Sequence, residues 1–143
     1  MKIYFAGAIR GGREESDIYN KLITYLTSKW EVLTEHVGTL NLSAMGETKI
    51  TDREIFNRDL SWLQSSDVMI AEVTIPSLGV GYELGIAEKL NLPILCLYRP
   101  AEKNRLSAMV NGNEKFHCEK YQSISDAQIH INNFINRNIN NEK

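Results

Sequence analysis

Two acidic side chains, Glu83 and Asp59, are the residues of this sequence best suited to chemistry on a sugar. Glu83 lies in a stretch in which three of the seven residues 79–85 are glycine. Because Ser77 can cap a helix that follows it, we expect Glu83 near the first turn, where the helix dipole keeps a carboxylate ionised. An ordinary glutamate of a capping pattern is the alternative. Glycine lowers helix stability by roughly 1 kcal/mol at an interior position, and close approach by a ligand or a partner backbone would explain that cost.

Asp59 lies on or beside the apolar stripe of a predicted helix, because Phe56 and Leu63 are three residues before it and four after it. A carboxylate that faces inward needs hydrogen-bond partners, and a structural aspartate at the edge of the core is the alternative. Tyr4 lies in an apolar strand and by itself reads as a core residue, while His36, at a strand end, is either structural or catalytic. Two carboxylates that flank a sugar perform glycosyl transfer, so these residues form a candidate site for that chemistry.

A glycine-rich loop is expected after the first predicted strand, in the run Ile9-Arg10-Gly11-Gly12-Arg13. Glycine lets backbone N–H groups come close to a ligand, and arginine presents a planar fork of donors to phosphate oxygens. The loop is therefore a candidate phosphate site, with an ordinary glycine turn between solvated arginines as the alternative. It matches neither the P-loop nor the dinucleotide fingerprint, so triphosphates and dinucleotides are not indicated.

Short apolar runs alternate with amphipathic stretches along the chain, which is typical of a parallel sheet wrapped by helices. The predicted strands span residues 3–7, 31–34, 67–71, 93–98 and 116–121. The predicted helices span residues 17–28, 51–63, 80–90 and 125–137, and residues 38–48 form a predicted loop. Ligands of such sheets bind beyond the carboxyl ends of the strands, which singles out residues 8–13, 72–81 and 99–109.

The composition predicts a single globular domain over residues 1–143. The formal net charge of −2 argues against a nucleic-acid polymer as partner, and no apolar run is long enough to span a membrane. The apolar stretch at the start is too short for a signal peptide. Cys96 and Cys118 lack the spacing of a metal site, and we expect two buried thiols. These features predict a reducing compartment, cytoplasmic or nuclear.

Several long motifs occur in an order and spacing that resemble one known family. They are YFAGAIRGGRE from Tyr4, LTEHV from Leu33, DLSWL from Asp59, AEVT from Ala71, PSLGVGYELG from Pro76, ILCLYRP from Ile94 and LSAM from Leu106. Over residues 3–121 the chain resembles the 2′-deoxynucleoside 5′-phosphate N-hydrolase 1 family, within the nucleoside 2-deoxyribosyltransferase superfamily.

The resemblance implies a flavodoxin-like, doubly wound α/β fold with a parallel five-stranded sheet and helices on both faces. It implies a homodimeric N-glycosidase, without metal or organic cofactor, that hydrolyses 2′-deoxynucleoside 5′-monophosphates to free base and 2-deoxyribose 5-phosphate. Glu83 matches the family's nucleophile, which would form a covalent glycosyl-enzyme intermediate. Asp59 matches the second carboxylate, which would protonate or hydrogen-bond the leaving base, and Tyr4 matches the tyrosine beside the nucleophile.

The resemblance also implies which residues hold the substrate. Arg10, Ser77 and Ser107 match phosphate-binding residues, with Ser107 reaching across the dimer, and His36 matches a histidine that lines the pocket. The predicted substrate-binding set includes five further residues near these, namely Gly7, Ile9, Gly11, Gly79 and Met109. One departure is visible, because family members have serine where this chain has Ala8, which removes one hydroxyl contact.

Two other functions stay open at the level of sequence. A nucleoside 2-deoxyribosyltransferase would pass the sugar to another base, although it would not need Arg10, Ser77 and Ser107 to hold a phosphate. A non-catalytic nucleotide-binding module could share the fold, although Glu83 and Asp59 are both present. A turnover assay separates these functions from hydrolysis.

Overall fold

A computed structural model describes residues 1–9, 13–34, 50–101 and 105–141, so the predicted loop at residues 38–48 lies outside the described residues. The strands are β1 (Lys2–Ala6), β2 (Glu31–Val32), β3 (Val68–Glu72), β4 (Ile94–Tyr98) and β5 (Phe116–Lys120). The helices are α1 (Arg13–Thr27), α2 (Asp52–Ser65), α3 (Leu78–Lys89), α4 (Ala108–Asn111) and α5 (Ile124–Asn141). None of the described helices is long and apolar enough to cross a membrane.

The five strands form one parallel sheet in the order β2-β1-β3-β4-β5. This is the strand order of doubly wound, flavodoxin-like folds, in which the chain runs from β1 to one edge and from β3 to the other. In register, Ala6 of β1 pairs with Ala71 of β3, and Ala71 pairs with Cys96 of β4. The predicted fold class is confirmed. Ligands bind such sheets at the switch point, which here lies between β1 and β3.

Alternating side chains of the central strands divide the core into two layers. Phe5 of β1 lies in one layer with Leu22 of α1 and Ile131 of α5. Tyr4 points to the other face of the sheet, in a layer that contains Leu84 of α3. Because successive strand residues face opposite sides and both sides are covered by helices, the central strands are almost wholly apolar in sequence.

The boundaries of helices and strands agree with the sequence where hydrogen bonds between nearby residues determine them. Helix α2 begins with a capping box: Thr51 Oγ1 accepts a hydrogen bond from Glu54 N at 3.2 Å, and the Glu54 carboxylate accepts one from Thr51 N at 2.7 Å. Helix α4 was not predicted, because its four residues are too few for a periodic pattern. Strand β2 is shorter than predicted, since only Glu31 and Val32 pair with β1 at this edge of the sheet.

The two cysteines are free thiols that lie side by side, with Cys96 of β4 in register with Cys118 of β5. Cys96 is buried, as expected. Cys118 is only partly buried, because β5 is an edge strand, so the expectation of two buried thiols is wrong for this residue.

Candidate active site

A hydrogen bond between Tyr4 and Glu83 forms the centre of the candidate site. Tyr4, on the central strand β1, is 1% exposed, and its hydroxyl donates to Glu83 Oε1 at 2.9 Å. Burial keeps the pKa of Tyr4 well above its usual value, with the charges of Glu83 and Asp59 adding to the effect, so the phenol stays a donor. The structure thus brings two predicted catalytic residues into contact, and their chemical roles stay predictions.

Glu83 lies further along its helix than the sequence indicates. Helix α3 begins at Leu78 with Ser77 as its N-cap, so Glu83 is in the second turn. The expectation that the helix dipole keeps this carboxylate ionised is therefore wrong, because that effect fades beyond the first turn. Burial is the main cause that raises the pKa of Glu83 to about 7. The hydrogen bond from Tyr4 lowers this pKa, and the negative charge of Asp59 raises it. Glu83 consequently becomes ionised as the pH rises through about 7.

Asp59 reaches the site from α2 and is bound to a cation. The Arg58 guanidinium donates a hydrogen bond from Nε to Asp59 Oδ1 at 2.9 Å, and its Nη2 forms an ion pair with the same oxygen at 2.8 Å. Arg58 also lies over the Trp62 ring, with 4.6 Å between its Cζ and the ring centroid. The sequence reasoning missed Arg58, although an arginine directly before a candidate aspartate and four residues before a tryptophan is a usable signal. Both of these contacts are made to Oδ1 of Asp59.

Asp59 and Glu83 line the same cleft, which has a volume of about 240 Å³ and lies between α2 and α3. Its walls are mostly apolar and include Phe56 and Tyr82, whose ring centroids are 6.5 Å apart. Both rings are well exposed, at 45% for Phe56 and 61% for Tyr82. Two carboxylates in an apolar cleft with aromatic walls suit a ligand that joins a flat ring to a polar group.

A larger groove of about 1100 Å³ lies between α3 and the segment of residues 105–116. Four of the predicted substrate-binding residues line it: Ser77, Gly79, Ser107 and Met109. Ser77 Oγ caps α3 by accepting a hydrogen bond from Val80 N at 3.3 Å. Ser107 occupies the N-cap position of α4 but makes no capping hydrogen bond with its side chain. The hydroxyl of Ser107 is therefore not used as a cap, and it is exposed in the groove.

The remaining predicted site residues follow β1 and β2. Gly7 is closely packed within the chain, since a Cβ there would lie 3.0 Å from a tyrosine ring of α1, and Ile9 is half-buried two residues further on. Arg10, Gly11 and His36 lie outside the described residues, and their roles stay predictions. In the described part of the chain, no three His, Cys, Asp or Glu side chains are grouped as a metal site would require.

Comparison with known proteins gives close relatives. A 5-hydroxymethyl-dUMP N-hydrolase of Tetraodon nigroviridis is 52% identical over 113 residues, which cover 78% of this chain and 80% of that protein. A 5-hydroxymethyl-dUMP N-hydrolase of Danio rerio is 54% identical over 112 residues, which cover 78% of each protein.

A solved structure, that of a Clostridium botulinum CMP N-glycosidase, is similar with a TM-score of 0.66 over 92% of this chain and 99% of that one. At 19% sequence identity this similarity supports the fold alone. Residues 3–117 match the nucleoside 2-deoxyribosyltransferase family, which is 115 of 143 residues. The resemblance seen in the sequence is confirmed, and the chain belongs to the nucleoside 2-deoxyribosyltransferase family.

Proposed function

We propose that this chain hydrolyses the N-glycosidic bond of 2′-deoxynucleoside 5′-monophosphates to a free base and 2-deoxyribose 5-phosphate. The observation that carries the proposal is the Glu83 carboxylate, which accepts a hydrogen bond from the buried Tyr4 hydroxyl and shares a cleft with Asp59. The names of the relatives, N-hydrolases of a deoxynucleoside monophosphate at 52% and 54% identity, support the same reaction class.

In the proposed reaction a Glu83 oxygen attacks C1′ of the sugar as the bond from C1′ to the base nitrogen breaks. The bonding electrons leave with the base, which takes up a proton from solvent, and Glu83 becomes a glycosyl ester. Water then attacks C1′ of the ester, loses a proton, and releases the sugar phosphate and the free carboxylate. Because Tyr4 bonds Oε1, Oε2 is the oxygen that attacks. A 2′-deoxy sugar lacks an electron-withdrawing hydroxyl, so the oxocarbenium-like transition state is more accessible.

Asp59 is better placed to orient the base than to protonate it. Its Oδ1 accepts a hydrogen bond from Arg58 Nε and forms an ion pair with Nη2, so the carboxylate acts as an acceptor in this arrangement. The second oxygen, Oδ2, can then accept a hydrogen bond from an N–H of the base. The Arg58 guanidinium adds a positive charge beside the leaving base, where negative charge develops in the transition state.

The pH dependence of the reaction should respond to the loss of the Tyr4 hydroxyl. The Tyr4 hydrogen bond favours the charged form of Glu83, so Tyr4→Phe should raise the pKa of Glu83 beyond about 7. We expect kcat/KM to rise with pH through about 7 in the wild-type protein and at a higher pH in the variant. Tyr25→Phe removes a hydroxyl bonded to Asn132, away from the site, and is the matched control. If kcat/KM rose at the same pH in the wild-type protein, Tyr4→Phe and Tyr25→Phe, the role proposed for the Tyr4 hydroxyl would be contradicted.

The proposed site for the 5′-phosphate is the start of α3. Ser77 is the N-cap of this helix, and the backbone N–H groups and dipole of a helix N-terminus attract anions. No acidic residue lies in the first turn of α3, so that turn does not repel a phosphate. Arg10 and Ser107 complete the proposed set, and Ala8 contributes no hydroxyl to it.

The proposed assembly is a homodimer joined through the outer face of α3. One face of this helix is buried in the core, yet Leu78 is 96% exposed and Tyr82 is 61% exposed on the helix surface. A helix that is apolar on both faces has a second face left to bury. Apart from the neighbouring backbone of α3 itself, a Cβ at Gly81 or Gly85 would meet no atom of the described residues within 4 Å. Close approach of a second copy explains why glycine stands at these helix positions despite its low helix propensity.

In such a dimer, Ser107 would complete the partner subunit's site. Within one chain, Ser107 and Met109 line the larger groove, whereas Glu83 and Asp59 line the smaller cleft. Met109 is 84% exposed, so this segment also presents an apolar group for a partner to cover. A two-fold interface exchanges such segments in both directions and gives two equivalent sites.

Ser107→Ala should weaken substrate binding about ten- to a hundred-fold, because a hydroxyl bonded to a charged phosphate contributes roughly 1.5–3 kcal/mol. Complementation tests which chain the serine serves. When Glu83→Gln and Ser107→Ala chains exchange subunits, each heterodimer has one site with both lesions and one with neither, so activity should rise above that of either parent. No recovery after verified exchange would show that Ser107 serves its own chain's site or none.

The experiment that tests the proposed function is incubation with the four ordinary 2′-deoxynucleoside 5′-monophosphates and with 5-hydroxymethyl-dUMP. Chromatography should show release of free base from at least one of them, and 5-hydroxymethyl-dUMP is the first choice because it appears in the names of the relatives. Absence of free base from all five, in a protein that binds them, would favour a non-catalytic nucleotide-binding module.

A further inference from the structure

A buried polar network lies on the face of the sheet opposite to Glu83. Glu72, the last residue of β3, is 0% exposed. Strand alternation places it on the same side as Ile70, in the layer of α1 and α5, whereas Tyr4 belongs to the other layer. A carboxyl group at this depth is costly to bury, and burial raises the pKa of Glu72 to about 7. The position of this group at the ligand-binding edge of the sheet therefore calls for an explanation.

Thr74 is bonded to the ends of two strands at once. Glu72 Oε1 accepts hydrogen bonds from Thr74 N, at 3.2 Å, and from Thr74 Oγ1. Thr74 Oγ1 in turn accepts a hydrogen bond from the backbone N of Arg99, just after β4, at 2.9 Å. The Thr74 hydroxyl thus donates to Glu72, the last residue of β3, and accepts from the backbone of Arg99, the residue that follows β4. Thr74 belongs to the loop of residues 73–77, which leads from β3 to Ser77 and the start of α3.

The Arg99 side chain extends the network to α1. Its Nη2 lies 2.5 and 2.6 Å from the two carboxylate oxygens of Glu15, and the two side chains are only 22% and 10% exposed. Glu15 is in the first turn of α1, three residues after Gly12 in the sequence. One turn further on, the Tyr19 hydroxyl accepts a hydrogen bond from Ala8 N at 3.2 Å. The same helix therefore holds the chain as it leaves β1.

The network is not arranged to maximise stability. Among the described residues, two of its buried polar atoms, Glu72 Oε2 and Arg99 Nε, have no hydrogen-bond partner. The same is true of the hydroxyl of Tyr121, whose ring centroid lies 5.9 Å from Arg99 Cζ. Incompletely satisfied buried polar groups are less favourable than apolar packing of the same volume. What the network does provide is a fixed geometry for the loop that follows β3.

We propose that Glu72, Thr74 and Arg99 are positioning residues for the 5′-phosphate. They hold the loop of residues 73–77 from behind the sheet, so that Ser77 and the first N–H groups of α3 face the phosphate. The inference rests on the proposed function, because that function places the phosphate at the start of α3. None of the three residues contacts the substrate in this account, so their loss should change phosphate affinity and leave the chemistry at C1′ intact.

Thr74→Val is the sharpest test, because it removes the hydroxyl and keeps the shape of the side chain. We expect the KM for a 2′-deoxynucleoside 5′-monophosphate and the inhibition constant of 2-deoxyribose 5-phosphate to rise about ten-fold, with kcat within about two-fold. Slow hydrolysis of the matching unphosphorylated nucleoside should not change. Thr74→Ser keeps the hydroxyl and should restore wild-type values. Thr27→Val removes a hydroxyl bonded to Ile23 O near the end of α1 and is the matched control.

Hydrogen exchange on the same proteins distinguishes this inference from the proposed function, because it needs no turnover. Thr74→Val should speed exchange at the backbone amides of residues 77–81, and Thr27→Val should not. Should Thr74→Val fail to fold, Glu15→Gln weakens the bond to Arg99 from the other end and should give smaller changes in the same direction.

Faster exchange together with the selective loss of phosphate affinity supports the inference. Unchanged exchange at residues 77–81 would overturn it, and so would an equal loss of rate on phosphorylated and unphosphorylated substrates. A wild-type protein that hydrolyses no deoxynucleotide would defeat the proposed function, whereas the exchange result would still decide whether the network holds the loop.

Discussion

Glu83→Gln should lower kcat by at least about a thousand-fold while the substrate still binds. Glutamine keeps the length of the side chain and can still accept the hydrogen bond from Tyr4, but its neutral amide is not a nucleophile toward C1′. The substitution removes no contact to the phosphate, so Kd should stay within about ten-fold of the wild-type value. Single-turnover release of base and a calorimetric titration with substrate measure the two quantities separately.

The same variant should remain at least as stable as the wild-type protein above neutral pH. Burial raises the pKa of Glu83 from 4.5 to about 7, so the folded protein favours the protonated carboxyl. The contribution of this group to stability is therefore full below about 4.5 and is lost as the pH rises through about 7. Glutamine does not titrate, so Glu83→Gln should have an equal or higher Tm at pH values above that range.

The matched control for this prediction is Glu119→Gln, which changes a partly exposed carboxylate of β5 that contacts His130. It should leave turnover unchanged. Turnover near the wild-type rate in Glu83→Gln would show that Glu83 is not the nucleophile. If Glu83→Gln had a lower Tm than the wild-type protein at alkaline pH, its loss of activity would be explained by a destabilised fold.

Removing the 5′-phosphate from the substrate should lower kcat/KM by about a hundred- to ten-thousand-fold. The proposed phosphate contacts come from Ser77, Ser107, Arg10 and the N-terminus of α3. A hydrogen bond to a charged group contributes roughly 1.5–3 kcal/mol, so the loss of two such bonds already corresponds to that range. The measurement compares a 2′-deoxynucleoside with its own 5′-monophosphate under identical conditions.

A ribonucleoside 5′-monophosphate with the same base is the control for the sugar, and it should be a poor substrate because its 2′-hydroxyl destabilises the transition state. Equal rates on the 2′-deoxynucleoside and its monophosphate would contradict the phosphate site. That outcome would favour a transferase that acts on unphosphorylated nucleosides.

The fold could be predicted because its signals are local. Apolar runs alternate with amphipathic stretches, and the capping box at Thr51 and the cap at Ser77 mark where two helices begin. The strand order itself came with the family resemblance, since alternation alone does not say which strands are neighbours. Tyr4 reads as a core residue in isolation and is indeed buried, and only its hydroxyl contact with Glu83 shows its second role.

The parts of the site that the sequence did not reveal depend on long-range packing. The raised pKa of Glu83 follows from its burial where α3 packs against α2 and the sheet, which no local pattern encodes. The ion pair between Glu15 and Arg99 joins residues 84 positions apart, so neither side chain identifies the other. Arg58 was overlooked for a different reason, because a single arginine on a helix usually lies on a solvated face.

Hydrolysis rather than transfer is the central claim, and the fate of the sugar tests it most directly. The wild-type protein is incubated with one 2′-deoxynucleoside 5′-monophosphate, alone and with an excess of a different free base, and all products are quantified by chromatography. We expect free base and 2-deoxyribose 5-phosphate in equal amounts without any acceptor base, and no new nucleotide when the second base is present. Release of base only in the presence of the acceptor, with formation of the exchanged nucleotide, would contradict the account.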